Sequence, residues 1–191
     1  MPGNAGDETG GSEGPASPEQ RRQFSLQLLA AVPKLRAFAL SLAAHADIAD
    51  DLVQDTLMKA WDHQNRFQPD TNIKAWLFTI LRNQYFSQLR KRRREVEDAD
   101  GDYASSLTTP GTQESQLDMA NLRIALQHLP DDQREAVVLV GASGFSYQEV
   151  AEICGVPVGT VKSRVNRARN KLAALLGIPD RRLPGRFPEN T

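Results

Sequence analysis

Apolar side chains recur along most of this chain at steps of three and four residues, and no stretch alternates in twos over a strand's length. The pattern predicts an all-α fold. Its clearest run is SYQEVAEICGVPVGTVKSRVNRARNKLAALL, residues 146–176. Ser146 followed three residues later by Glu149 is a capping-box start. A short helix with Val150, Ala151 and Ile153 inside is broken by Gly155, the residue type that accepts a left-handed helix end. Pro157 suits the start of a second helix, whose inner stripe is Val158, Val161, Val165, Ala168 and Leu172. Its outer face carries Thr160, Lys162, Ser163, Arg164, Asn166, Arg167, Arg169 and Lys171, and no acid interrupts residues 153–178. Two helices on a glycine turn, the second basic, form a helix-turn-helix whose second helix can enter a major groove. An ordinary helical hairpin with a solvated basic face is the plainer alternative.

Upstream, the same periodicity predicts further helices. Ser17-Pro18-Glu19 is a helix start, with Phe24, Leu28, Leu35, Phe38 and Leu42 on the inner side and Pro33 marking a break or kink. Asp47 is expected to cap a helix over residues 48–64 that buries Leu52, Val53, Leu57, Ala60 and Trp61. The other side of that helix carries Asp51, Asp55, Met58 and Asp62. Pro69 and Asp70 mark a loop. The helix expected next, residues 72–94, is apolar on most sides, yet one stripe is Ala75, Thr79, Arg82, Asn83, Phe86 and Arg90. Such a stripe suits bases stacked and hydrogen-bonded outside a duplex, while a central core helix with Trp76 and Phe86 inside fits as well. Periodicity fails over residues 95–115, which are acidic and then rich in Ser, Thr, Pro and Gly. Leu117, Leu122, Leu126 and Leu129 start a second unit, and Pro130 separates that helix from the next. The resulting organisation is a disordered tail (1–16), a helical unit (17–94), a flexible acidic linker (95–115), a second helical unit (116–177) and a mobile tail (178–191).

Charge adds to this picture locally. The 191 residues carry a net charge of only −1, but Arg90, Lys91, Arg92, Arg93 and Arg94 form a basic block directly followed by Glu95, Glu97, Asp98, Asp100 and Asp102. The single cysteine, Cys154, excludes a disulfide framework and suits a small buried position. His45, His63 and His128 are far apart and lack metal-ligand spacing. There is no phosphate-cradling glycine loop and no nucleophile elbow. Asp50, Asp51 and Asp55 suit a solvated or partner-facing helix better than a catalytic pair. These absences predict a protein that is not an enzyme and needs no cofactor, metal or small-molecule substrate. No apolar run is expected to span a bilayer and no signal segment is evident, so a soluble cytoplasmic protein is expected.

The quoted motifs, in this order, resemble bacterial sigma factors of the extracytoplasmic-function (ECF) type. DLVQDTLMKAW (residues 51–61) is similar to the segment with which that family docks on the polymerase clamp. NIKAWLFTILRN (72–83) resembles its promoter-melting and minus-ten segment, and LPDDQREAVVL with FSYQEVAEICGVPVGTVKSRVNRAR resembles its minus-thirty-five domain. FQPDTNIKAWLFTILRN and RKRRREVEDADG are similar, more narrowly, to alphaproteobacterial general-stress-response (EcfG-type) sigma factors.

The resemblance implies partners and residue roles. Asp51, Gln54, Asp55 and Met58 would bind the beta-prime clamp helices of core RNA polymerase. The loop from Phe67 to Asn72 would receive a base flipped from the non-template strand, which Lys74, Trp76, Thr79, Arg82 and Asn83 would line. Arg90 would open a phosphate-binding block on the upstream duplex. Lys162, Ser163, Asn166 and Arg167 would reach base edges of the upstream element, and Thr160, Arg164 and Arg169 would hold phosphates. Pro157 departs from the Ser-like cap of many family members. An anti-sigma protein would be a further partner, with the free chain extended or mixed and compact only when bound. Two rival readings are a stand-alone helix-turn-helix regulator and a sigma-mimicking adaptor that sequesters an anti-sigma protein. The first leaves the Thr79, Arg82, Asn83 face unused, and the second has no segment long enough for a receiver domain.

Overall fold

The computed structural model describes residues 17–43, 45–68, 71–97 and 114–178. The expected N-terminal tail, the C-terminal tail beyond Ile178, most of the linker, and Pro69 and Asp70 lie outside them. The described residues form seven α-helices: α1 (Pro18–Ala43), α2 (Ala46–Asp62), α3 (Ile73–Glu97), α4 (Glu114–Gln127), α5 (Asp131–Gly141), α6 (Tyr147–Cys154) and α7 (Val158–Leu176). One 3₁₀ turn, Gln64–Arg66, follows α2, and no strand occurs among the described residues.

Helices α1, α2 and α3 pack on one another as the first unit. Leu35, Phe38 and Leu42 of α1 meet Leu52 of α2 and Leu77, Phe78 and Leu81 of α3, all almost wholly buried. The Phe38 and Phe78 rings stack with centroids 5.1 Å apart. Ser17 caps α1 reciprocally with Gln20: the Gln20 amide donates to Ser17 Oγ at 3.2 Å, and the Ser17 amide donates to Gln20 Oε1 at 2.7 Å.

Four expectations need correction here. Helix α1 runs through Pro33 without a break. Pro33 and Leu29, whose carbonyl loses its donor, are both solvent-exposed, so water can serve that carbonyl while the opposite face is held in the core. The N-cap of α2 is His45, not Asp47, and Asp47 instead lies in the first turn, where its charge suits the helix dipole. Trp61 is 43% exposed and Leu57 half-buried, while Thr56, absent from the expected inner face, is fully buried. Helix α1 is also long and apolar enough to cross a membrane by length and composition, contrary to the expectation of no such run. Its inner face, with Leu35, Phe38 and Ala39 at zero exposure, is part of the protein core.

The second unit is α4–α7. Helix α5 packs on α7 and α6, and α4 lies along α7. Val161, Val165 and Ala168 of α7 are buried with Leu139 of α5 and Val150 and Ile153 of α6.

The two units do not stand apart. Helix α1 touches α4 and α5, α3 touches α6, and the buried residues of both units form one continuous apolar core. Phe145, in the turn before α6, sets its ring edge-on to Phe78 at 4.9 Å. The described units are packed together, whereas the sequence reading expects a free chain that is extended or mixed.

Candidate nucleic-acid and polymerase interfaces

The helix-turn-helix forms as its residues dictate. Ser146 Oγ accepts the Glu149 amide at 3.2 Å, and Glu149 Oε2 accepts the Ser146 amide at 2.8 Å, which completes the capping box. Gly155 ends α6 at φ 66°, the left-handed conformation that strains any residue with a Cβ. Pro157 begins α7 with no side-chain cap bond.

With Val161, Val165 and Ala168 turned inward, Lys162, Asn166, Arg167 and Lys171 are exposed on the other side. Thr160, Ser163 and Arg169 are half-buried at its margins. Lys162 Nζ lies 6.0 Å from the Tyr147 ring centroid, which leans it toward α6. Arg164 is half-buried and its Nε lies 3.0 Å from Asp132 of α5, so it also ties α7 to α5.

On α2, Asp51, Gln54, Asp55 and Met58 are exposed along one face, and Met58 is 58% accessible. Asp51, Gln54 and Asp55 line an open groove with Ile48, and Gln88, Lys91 and Arg92 of α3 form its far wall. Behind this face Thr56 Oγ1 bonds Gln84 Oε1 at 2.8 Å, a buried polar link between α2 and α3. An exposed apolar thioether among carboxylates suits a protein surface better than water.

The stripe on α3 is in a different state. Asn72 caps the helix, accepting the Ala75 amide at 3.2 Å, and its Nδ2 donates to Glu149 Oε1 at 2.7 Å. Lys74 donates to the Ser143 carbonyl, and its ammonium lies 4.1 Å from the Phe145 ring centroid. Burial, with Lys34 nearby, pulls the Lys74 pKa below the ordinary lysine range, partly offset by Glu149. Arg82 pairs through Nε with Glu135 of α5, which is 1% exposed. Burial pushes the Glu135 carboxyl above its ordinary range, and Arg82 only partly opposes this. The Arg82 guanidinium also covers the Phe86 ring at 5.0 Å.

The remaining candidates on this face lie around that contact. Thr79 is half-buried and its hydroxyl donates back to the Ala75 carbonyl at 2.9 Å. Asn83 and Arg90 are exposed, and Asn83 Oδ1 accepts from Arg82 at 3.3 Å. Phe67 and Trp76 are half-buried in an aromatic cluster: their ring centroids are 5.4 Å apart, and Phe24 lies within 6.3 Å of both. Of these candidates, Asn72, Lys74 and Arg82 are engaged by the second unit, Phe67 and Trp76 join the aromatic cluster with Phe24, and Thr79 and Asn83 make local bonds.

Several residues of that engagement were not among the sequence candidates. Arg134 donates to the Leu42 carbonyl at 2.9 Å, and Gln127 donates to the Ser41 carbonyl at 3.0 Å. Tyr85 adds a second donor to the Leu42 carbonyl at 2.9 Å. Helix α1 has no basic residue in its last turn, so Arg134 supplies the missing charge complement from the other unit. The one trace in the sequence is Arg134-Glu135, a charged pair set just before the apolar run Ala136-Val137-Val138-Leu139-Val140. Cys154 is buried beside Glu135, and its thiol is pushed up to about 12 by burial and by that carboxylate.

Family comparisons agree with this division. Residues 29–95 match the model of Sigma-70 region 2, and residues 120–172 match Sigma-70, region 4. The ECF RNA polymerase sigma factor EcfG of Rhodopseudomonas palustris (strain TIE-1) is 62% identical over 151 residues, 79% of this chain and 83% of that one. The chain belongs to the ECF sigma factors. It is accordingly an RNA polymerase sigma factor, a transcription-initiation protein, and the first and second units carry its regions 2 and 4. The sigma factor RpoE of Bartonella quintana, solved in complex with the anti-sigma factor NepR, is 54% identical with a TM-score of 0.77, covering 82% of this chain and 98% of that one. The PhyRSL–NepR complex of Sphingomonas sp. Fr1 shares the fold at 21% identity and a TM-score of 0.58, covering 79% of this chain and 87% of that one.

Proposed function

We propose that this ECF sigma factor docks on core polymerase through α2, reads the melted minus-ten strand with α3 and reads the minus-thirty-five duplex with α7. Stress-response genes are its targets on this reading, an anti-sigma protein of the NepR kind is its regulator, and the cytoplasm is its place of action. The relatives at 62% and 54% identity support the target class and the regulator. The domain roles follow the division 17–94 and 116–177, with residues 95–115 as the connection.

One observation carries the reading. Asp51, Gln54, Asp55 and Met58 are exposed on α2, while Lys162, Asn166 and Arg167 are exposed on α7, so one chain offers an acidic face and a separate basic face. Asp51, Gln54, Asp55 and Met58 would meet the basic clamp helices of polymerase. Phe67, Asn72, Lys74, Trp76, Thr79, Arg82 and Asn83 would line the unpaired strand, with Arg90 on duplex phosphates. Lys162, Ser163, Asn166 and Arg167 would contact base edges, while Thr160, Arg164 and Arg169 would position the helix on the backbone. No step of this work needs catalysis by the chain or a cofactor.

The test is run-off transcription with core polymerase on a genomic promoter library, alongside a titration of core binding. Asp51→Ala with Asp55→Ala removes exposed charge only, so helical circular dichroism should persist while core affinity falls about tenfold or more. Unchanged affinity would remove α2 from the polymerase interface.

A further inference from the structure

Three of the side chains offered to the minus-ten strand already have partners in the second unit. Arg82 is paired with Glu135, Lys74 is held by the Ser143 carbonyl and the Phe145 ring, and Asn72 is bonded to Glu149. These partners belong to region 4, in addition to the contacts that Arg82 makes with Asn83 and Phe86 and Asn72 with the Ala75 amide in region 2. They are also the kinds of group that nucleic acid presents: an anionic oxygen for the guanidinium, a carbonyl oxygen for the ammonium, and an aromatic ring beside them. A phosphate and Glu135 cannot both occupy Arg82 Nε, because two anions would crowd one donor group. A base cannot stack along Lys74 while Phe145 lies 4.1 Å from its ammonium.

We propose that region 4 masks the strand-binding face of region 2 as an intramolecular mimic of the promoter strand, with Glu135 in the place of a phosphate on Arg82. The proposal rests on the reading of Asn72, Lys74 and Arg82 as strand-binding residues. The mask is fastened away from that face as well. Arg134 and Gln127 hold the Leu42 and Ser41 carbonyls at the end of α1. Strand binding and closure therefore exclude each other, and any ligand that opens the two units unmasks α3.

The mask is specific rather than merely adhesive. A buried ion pair gains little net stability over apolar packing, because both charges lose water. Its ionic partners instead fix which faces meet. The pair also makes the open and closed forms compete for one guanidinium, so strand and mask are alternatives and not additive contacts.

The full-length chain tests this without polymerase. Radius of gyration by small-angle scattering reports closure, and anisotropy of a fluorescein-labelled pool of randomised single-stranded DNA reports strand binding. Glu135→Arg sets two cations together, and should raise the radius of gyration and strengthen strand binding about tenfold. Gln127→Ala, which removes one fastening to α1, should move both readouts the same way by a smaller factor. The exchange Arg82→Glu with Glu135→Arg should restore the compact radius, a rescue across units that a purely local role of Glu135 would not give. If Glu135→Arg loses its helical signal, the exchange variant and Gln127→Ala decide. A compact radius in Gln127→Ala together with no recovery in the exchange would overturn the mask.

Arg82→Ala in the polymerase holoenzyme separates the two ideas. If it impairs open-complex formation while an opened Glu135→Arg chain gains no strand affinity, the mask is wrong and the strand reading stands. If Arg82→Ala leaves open-complex formation intact, the strand reading itself fails.

Discussion

Helices α3 and α7 both turn an apolar side inward and cationic side chains outward, yet only one of them is free to bind. On α7, Lys162, Asn166 and Arg167 are exposed. On α3, Lys74 and Arg82 are held by Ser143 and Glu135. The difference does not arise from the helices' own sequences. Helix α7 packs on α4, α5 and α6 of its own unit, whereas α3 packs on α1 and α2 and also on α6 of the other unit. A helix face covered by a second unit acquires partners for its polar groups, because leaving them buried and unpaired costs free energy. Availability of a basic face is therefore a property of what packs against the helix.

The contrast breaks first if the packing over α3 is removed. Phe145 is 4% exposed and its ring is set against Phe78 and Lys74. Phe145→Ala should cost about 3–5 kcal/mol of stability, as expected for a buried aromatic side chain. Calorimetry should then resolve the single unfolding transition into two, one for each unit. One transition at an unchanged temperature would mean that Phe145 does not join the units.

The α7 side is sharpened by separating base reading from phosphate holding. Arg167→Ala should weaken promoter binding by roughly 1–3 kcal/mol and relax preference at one base pair. Selection on randomised upstream elements with core polymerase checks this, and lost affinity with unchanged bases would move Arg167 to the phosphate contacts. Lys171 lies a turn further on and is also exposed. The smallest effect is expected there: Lys171→Ala should weaken all sequences alike and reduce the slope of log affinity against log salt by about one.

How much of this was legible in the sequence varies by region. The helix-turn-helix was legible to the residue, because Ser146, Glu149 and Gly155 each act through bonds or torsions a few positions away. The exposure of Asp51, Asp55 and Met58 followed from a face opposite Leu52 and Val53. Pro33 misled, because tertiary packing of Leu28, Leu35 and Phe38 holds α1 together across one missing hydrogen bond. Trp61 misled because a large indole satisfied by partial contact with Phe24 need not be covered fully. The meeting of the two units was not legible. Arg82 and Glu135 are 53 residues apart and Arg134 and Leu42 are 92 apart, and separations of that size leave no periodicity to read.

Those separations have a temporal side. The carbonyls of Ser41 and Leu42 and the cations of α3 all precede Glu97, whereas Gln127, Arg134 and Glu135 come later in the chain. On a ribosome the N-terminal unit leaves the exit tunnel first and folds as a unit. For that interval the nascent chain carries α3 uncovered, with the end of α1 still lacking its distant arginine. The covering helices are synthesised last, so a polymerase or an unpaired strand that met the growing chain would find its region 2 already open.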